Sequence, residues 1–269
     1  MNAHKSAEAL LGYRDTAKAA SAADWLASGL APGTEAEAYA IQAAMADIME
    51  GRGATQIGYK IGATNQAARN MLGVDGPLYG RLWQDQASDA PTGEASARIA
   101  FVPTLHKVAE AEVALRMGRD VDASDGPVTA ETIRAAVADV IPVVEIAGTS
   151  LDPWLEAGGL TLTADNGIHA LWIKGAAKPD WDGFDPLELP VTVTRTKGEP
   201  HVGKGGAVDG GAFAAAAWLA NKLAEHGKSL REGDYISTGS ATVPIPVVAG
   251  DTLNCDFGPL GSLAVRISG

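Results

Sequence analysis

The chain has 269 residues, enough for one large domain or a small domain attached to a larger one. Lysine and arginine number 21 against 33 acidic residues, a formal charge of −12. That balance argues against nonspecific DNA or RNA binding, which needs basic groups on phosphates. The single cysteine, Cys255, excludes an intrachain disulfide and a multi-cysteine zinc site.

Residues 1 to 52 are alanine-rich and read as helical. Met1 to Leu11 carries His4, Lys5 and Glu8 and has no long apolar run, so it does not read as a signal peptide. Thr34 and Glu37 form a capping-box pair, and Ala38, Ile41, Met45, Ile48 and Met49 then recur at helical spacing. Gly51 and Gly53 close that helix. Gln56 to Ile61 predicts a short strand carrying Lys60, and a helix follows from about Gln66 to Leu72. Gly73 to Gly80, with Pro77, reads as turns.

From about residue 98 strands alternate with turns. Thr129 caps a helix whose Ile133, Ala136, Val137 and Val140 face inward. Phe213, Ala216, Ala217, Ala220, Leu223 and Ala224 form an amphipathic helix ended by Gly227. Strands at Thr252–Phe257 and Ser262–Ile267 complete the chain. Consecutive strand runs predict an α+β fold with a largely β second half, divided as a helical part over 1–85 and a β-rich part over 86–269. No stretch reaches about 18 uninterrupted apolar residues, so no membrane span is expected and a cytoplasmic protein is the default.

The most informative residues are three acids. Glu110 and Glu112 alternate in Val108–Leu115, so both face one side of a strand. Glu145 lies in a second apolar run, Pro142 to Ile146. Two readings stand: a solvated face with pairs to Arg116 or Lys107, or a site for a hard divalent cation, Mg²⁺ or Mn²⁺. Lys60 is either a snorkelling surface lysine or a buried cation that anchors an acidic ligand or relays a proton. His169 has a pKa suited to proton transfer, with a structural histidine as the alternative, and His106 flanks the acidic strand. In Thr238-Gly239-Ser240 the glycine allows close backbone approach and the hydroxyls of Thr238 and Ser240 can donate to a carboxylate; an ordinary turn is the other reading. Gly203-Lys204-Gly205-Gly206 lacks the pattern of a phosphate loop. Cys255 reads as packing.

In order along the chain, Gly58-Tyr59-Lys60-Ile61-Gly62, Leu72-Gly73-Val74-Asp75, the Glu-x-Glu pair, Pro142 to Ile146 and Asp165-Asn166 resemble the fumarylacetoacetate hydrolase superfamily. Trp218 to Leu223, Gly233-Asp234, Thr238-Gly239-Ser240, Gly250-Asp251 and Gly261-Ser262 follow its branch of 2-keto-4-pentenoate hydratases and 4-oxalocrotonate decarboxylases. The resemblance spans roughly residues 55 to 267 and rests on the order of the motifs. It implies a small helical N-terminal part, a mixed β-roll, a divalent metal on Glu110, Glu112 and Glu145, and homo-oligomers. It implies a 2-oxo acid as the small-molecule partner, with Asp165 and Asn166, which otherwise read as a turn, beside the metal pocket as support or substrate contact. The implied activity is a hydro-lyase acting on a substrate such as 2-hydroxypenta-2,4-dienoate in aromatic catabolism. A decarboxylase, a C–C hydrolase and a non-catalytic binding homologue are the alternatives. The chain departs from the pattern at Leu78, where many hydratases carry an acid, and at Gly167-Ile168-His169, where Ala-Ser is common. It departs again at Asp209-Gly210-Gly211-Ala212, in place of Gly-Asn-Pro. His169 is the candidate to replace the lost acid/base group.

Overall fold

The computed structural model describes residues 2–90, 96–124, 126–183 and 186–269. Three helices form an N-terminal layer at Ala3–Asp15, Ala22–Ala27 and Glu35–Gly51. The last starts as its sequence predicts, with the Thr34 hydroxyl accepting from the Glu37 amide. Its buried stripe of Ala38, Ile41 and Met45 packs on Leu151, Leu162 and Ile168, making a second apolar cluster beside the main core.

The main body is two sheets. The larger has eight strands. Its centre is the antiparallel hairpin of His106–Met117 and Val137–Gly148. Tyr235–Ser240 and then the Lys60 strand, Gln56–Gly62, extend it on one side, and His169–Lys174 extends it on the other. The smaller sheet orders His201–Lys204, Pro190–Arg195, Thr252–Asp256, Ser262–Ser268 and Ala97–Ala100. The helix Gly211–Glu225 buries its alanine and leucine face in the main core. Among the described residues no helix is long and apolar enough to cross a membrane.

The sequence boundary at residue 85 does not interrupt the large sheet, because the Lys60 strand and Leu78–Trp83 are built into it. Leu78–Trp83 corrects the reading of turns through Gly80. Every residue of that strand is buried, so its sequence carries no alternation to announce it.

A polar network joins the helical layer to the sheet. Arg14 donates from Nε to Asp165 Oδ1 at 2.6 Å, and its terminal nitrogens bond the carbonyls of Gly148, Asp165 and His169. Gln42 donates to the carbonyls of Tyr79 and Thr163 and accepts from Arg81. Asn166 clasps the Arg81 backbone, accepting from its amide and donating to its carbonyl. Gly80 lets the chains come this close, since a Cβ there would stand 2.1 Å from the Asn166 carbonyl oxygen.

The network holds an unfavourable backbone. Asn166, Gly167 and Ile168 all have φ between 55° and 59°. Left-handed conformation is a true outlier for a β-branched residue such as Ile168, and each such residue costs on the order of 1–3 kcal/mol. Arg14 and Arg81 fix the segment at its start. Arg14→Met should therefore leave Asp165 buried without its partner and cost about 3 kcal/mol or more. A melting temperature lowered by roughly 6 °C or more is expected, and an unchanged melting curve would show that the clamp contributes nothing.

Candidate metal centre and substrate cleft

Strand register creates the site. Glu110 lies directly opposite Glu145 in the central hairpin, and Glu112 is two residues along from Glu110 on the same face. Side chains directly opposite in an antiparallel pair stand about 5 Å apart, where like charges repel. One carboxylate oxygen from each acid lies within 4.8 Å of the others. Glu145 is fully buried, Glu112 nearly so, and Glu110 is half-buried and faces the cleft. The alternative pairs read from sequence do not form: Arg116 bonds Asp139, and Lys107 faces Asp152.

Each acid has different support. Glu112 Oε2 accepts from the Ser237 hydroxyl at 2.5 Å and from the Gly239 amide at 3.2 Å. Trp172 donates to that same hydroxyl, fixing its direction. Gly239, at φ 108°, is required here because a Cβ would lie 2.2 Å from the Thr64 hydroxyl. Glu145 Oε1 accepts from His169 Nδ1 at 2.9 Å, and Glu145 Oε2 is 3.4 Å from Lys60 Nζ. Lys60 also donates to the Gly167 carbonyl at 3.1 Å, so the strained segment supplies one of its ligands.

Charge is left over. Burial alone would lower the Lys60 pKa, but Glu145, Glu110 and Glu112 carry it above its ordinary value. Burial and the neighbouring Glu145 raise Glu110 to about 7, with Lys60 opposing. Burial and the two other acids push Glu112 well above the usual carboxylate range. Burial also opposes charge on Glu145, but Lys60 and His169 outweigh it and hold that pKa below its ordinary value. His169 is kept neutral by burial. Three carboxylates thus face one ammonium, and Glu112 Oε1 and Glu145 Oε2 are buried without a hydrogen-bond partner. An all-oxygen donor set with two unbalanced charges fits a hard dication.

Two cavities meet at Glu110. One, of about 360 Å³, is lined by Glu112 and by polar groups of Thr64, Asn65, Ser240 and Thr242. The other, of about 210 Å³, is lined by Lys60 and Glu110 and by a largely apolar wall that includes Leu72, Leu78, Val108, Leu162 and Ile168.

No family model matches the chain. The 2-keto-4-pentenoate hydratase of Paraburkholderia xenovorans is 32% identical over 229 residues, covering 84% of this chain and 81% of that protein. The chain belongs to that hydratase and 4-oxalocrotonate decarboxylase family. A structure of 4-oxalocrotonate decarboxylase from Pseudomonas putida G7, complexed with magnesium and adipate, superposes with a TM-score of 0.86 at 26% identity, covering 98% of this chain and 97% of that one. Fumarylpyruvate hydrolase from Pseudomonas aeruginosa, in complex with Mn²⁺ and pyruvate, shares the fold at a TM-score of 0.62 and 14% identity over 80% of this chain and 89% of that one. The α+β fold is therefore that of the fumarylacetoacetate hydrolase superfamily, and its acidic triad supports a divalent metal.

Within this family frame the sequence-derived residues divide. Lys60, Glu110, Glu112 and Ser240 line the cleft, although the Ser240 hydroxyl is already donated to the Thr242 carbonyl. Asp165 and Asn166 line neither compartment, being engaged by Arg14 and the Arg81 backbone. Thr238 donates to the Val113 carbonyl, as its alternate position on the strand dictates. His169 is fully buried behind Glu145 and lines neither compartment. His106 accepts from the Val102 amide, and burial lowers its pKa to about 4. Sequence reasoning missed Ser237 and Arg14. The spacing of Ser237 and Gly239 held a signal for the first; an arginine in an alanine-rich helix held none.

The sign of the pH dependence follows from the raised acids. In the cation-free protein Glu110 and Glu112 hold protons at a higher pH than in the unfolded chain. Their stabilisation is present at acid pH and is lost as pH rises through about 7 for Glu110. A dication must displace those protons, so its affinity should weaken about tenfold per proton for each pH unit below that point. Calorimetric Mg²⁺ titrations at acid and alkaline pH would reveal this, and equal affinities would remove the carboxylates as ligands.

His169 acts on Glu145 rather than on a ligand. Loss of such an orienting group weakens metal binding by about 10- to 100-fold. His169→Leu should show that loss and His169→Asn, which retains a donor near Nδ1, should recover most of it. Equal affinity in both variants would exclude the orienting role.

Proposed function

We propose that the chain is a divalent-metal-dependent hydro-lyase that adds water to an unsaturated 2-oxo acid. The observation that carries this reading is the triad of Glu110, Glu112 and Glu145 beside Lys60, with Glu110 at the border of two cavities. Glu110, Glu112 and Glu145 would hold Mg²⁺ or Mn²⁺. When bound, the ion supplies Lewis acidity and coordination positions for a ligand that chelates through its carboxylate and keto oxygens.

The remaining work falls to the chain's own groups. Lys60 stays protonated among the acids, donates to the Gly167 carbonyl and pairs with Glu145, which leaves Nζ able to donate to the acid end of the substrate. Among the described residues it is the only cation lining either compartment, so it both neutralises that end and holds a proton beside the reacting chain. A 2-hydroxy-2,4-dienoate ketonises by gaining a proton at its far carbon while the enol oxygen gives one up. Water then adds across the conjugated double bond. Leu78 and Ile168 would give the tail an apolar wall. Ser237 and the Gly239 amide hold Glu112 in place, while His169 holds Glu145.

The rival within the family is decarboxylation of a 4-oxalocrotonate-type diacid, favoured by the structural match to that decarboxylase. Metal-loaded protein mixed with 2-hydroxypenta-2,4-dienoate should bleach the dienol absorbance and yield a 4-hydroxy-2-oxo acid, and chelation should stop it. Release of CO₂ from the diacid, with no hydration of the dienoate, would replace this assignment by the decarboxylase. Oxalate binding with no turnover of either substrate would make the chain a 2-oxo-acid-binding homologue.

A further inference from the structure

A third cavity lies apart from the cleft. It encloses about 530 Å³, more than either cleft compartment, and falls within the roughly 300–1,000 Å³ typical of small-molecule sites. It opens where the C-terminal ends of Ala3–Asp15 and Glu35–Gly51 meet the segment Gln84–Gln86. Among the described residues it shares no lining residue with the cleft. Its charges cancel, Arg14 and Arg52 against Asp15 and Asp85, so they select neither an anion nor a cation. Leu11, Met45, Met49 and Leu105 give it an apolar side, and thioethers pack favourably on aromatic rings. Gln86 Oε1 is buried without a hydrogen-bond partner, an acceptor that a ligand O–H would satisfy.

Two lining residues also belong to the clamp behind the metal centre. Asn166 holds the Arg81 backbone one residue before Gly167, whose carbonyl accepts from Lys60. Arg14 donates to the carbonyl of His169, whose ring holds Glu145. The run from Asn166 to Ile168 is strained, with φ between 55° and 59°, and release of that strain would carry Asn166 out of the cavity wall.

We propose that this cavity is a second ligand site, for an uncharged hydroxyaromatic molecule, and that its occupant tightens the metal centre. A ligand packed on Arg14 and Asn166 binds the clamped arrangement in preference to a relaxed one, and a dication needs the same placement of Lys60 and Glu145. Each ligand then raises the affinity of the other by one factor. The site stands independently of the triad, whereas the coupling rests on the reading of the triad as a metal centre.

The test is calorimetric, with phenol as the ligand and anisole, which has the same ring and no O–H, as its control. Phenol should bind at least about tenfold more tightly than anisole. Gln86→Met, similar in length but without the acceptor, should abolish that preference. Ala54 is half-buried on the cavity lining, so Ala54→Trp places a ring inside and should abolish binding. Saturating phenol should tighten Mg²⁺ binding at least about fivefold in the unsubstituted chain and leave it unchanged in Ala54→Trp. No saturable phenol binding, equal binding of phenol and anisole, or phenol binding that survives Ala54→Trp would overturn the site. Phenol binding at this cavity with Mg²⁺ affinity unmoved would overturn the coupling. Failure of Mg²⁺ to bind with or without phenol would overturn the metal centre and the coupling with it, and leave the phenol site intact.

Discussion

Everything in this protein that bears on function follows from one unfavourable contact, the facing of Glu110 and Glu145 across the central hairpin. Buried like charges in register destabilise a sheet unless an opposite charge meets them. Lys60 meets them in part, brought by a parallel strand that reaches the hairpin through Tyr235–Ser240. One ammonium against three carboxylates leaves the balance open. The cation-free fold manages by keeping protons on Glu110 and Glu112. A dication would replace those protons and satisfy the two carboxylate oxygens that have no hydrogen-bond partner.

Such a site needs rigid surroundings, because a mobile pocket would relax the repulsion by letting the acids turn toward water. The surrounding bonds show how rigidity is imposed. Ser237 and Trp172 hold Glu112, and His169 holds Glu145. Arg14 reaches from the first helix to the carbonyls on both sides of His169's strand entry. The strained run through Ile168 is the consequence: its backbone turns so that the Gly167 carbonyl faces Lys60 while the Ile168 side chain faces the tail compartment. A relaxed backbone there would give up one of those two placements.

The sequence was most legible where period and chemistry coincide. Alternation put Glu110 and Glu112 on one face, and the Thr34 cap and apolar stripe located the helix that backs the site. It was least legible where long-range pairs decide a role. Nothing near His169 indicates that Glu145 occupies its Nδ1, and nothing near Asp165 indicates an arginine 151 positions away. Both residues read as candidates for chemistry or substrate contact because a polar side chain in an apolar stretch asks for a partner. Only the fold shows that the partner is protein. Thr238 illustrates the smaller version of the same problem, since a one-residue shift along the strand separates it from Ser237, which does reach the triad.

The departures at Leu78 and Ile168 gain a physical meaning in this frame. Both residues line one compartment, so apolar side chains there make its wall less polar as well as removing a proton donor. The other compartment carries the hydroxyl and amide side chains of Thr64, Asn65, Ser240 and Thr242. Glu110 lies on the border of the two. Under the proposed hydration the conjugated chain would lie between an apolar wall and a lining whose hydroxyl and amide groups can hydrogen-bond the incoming water.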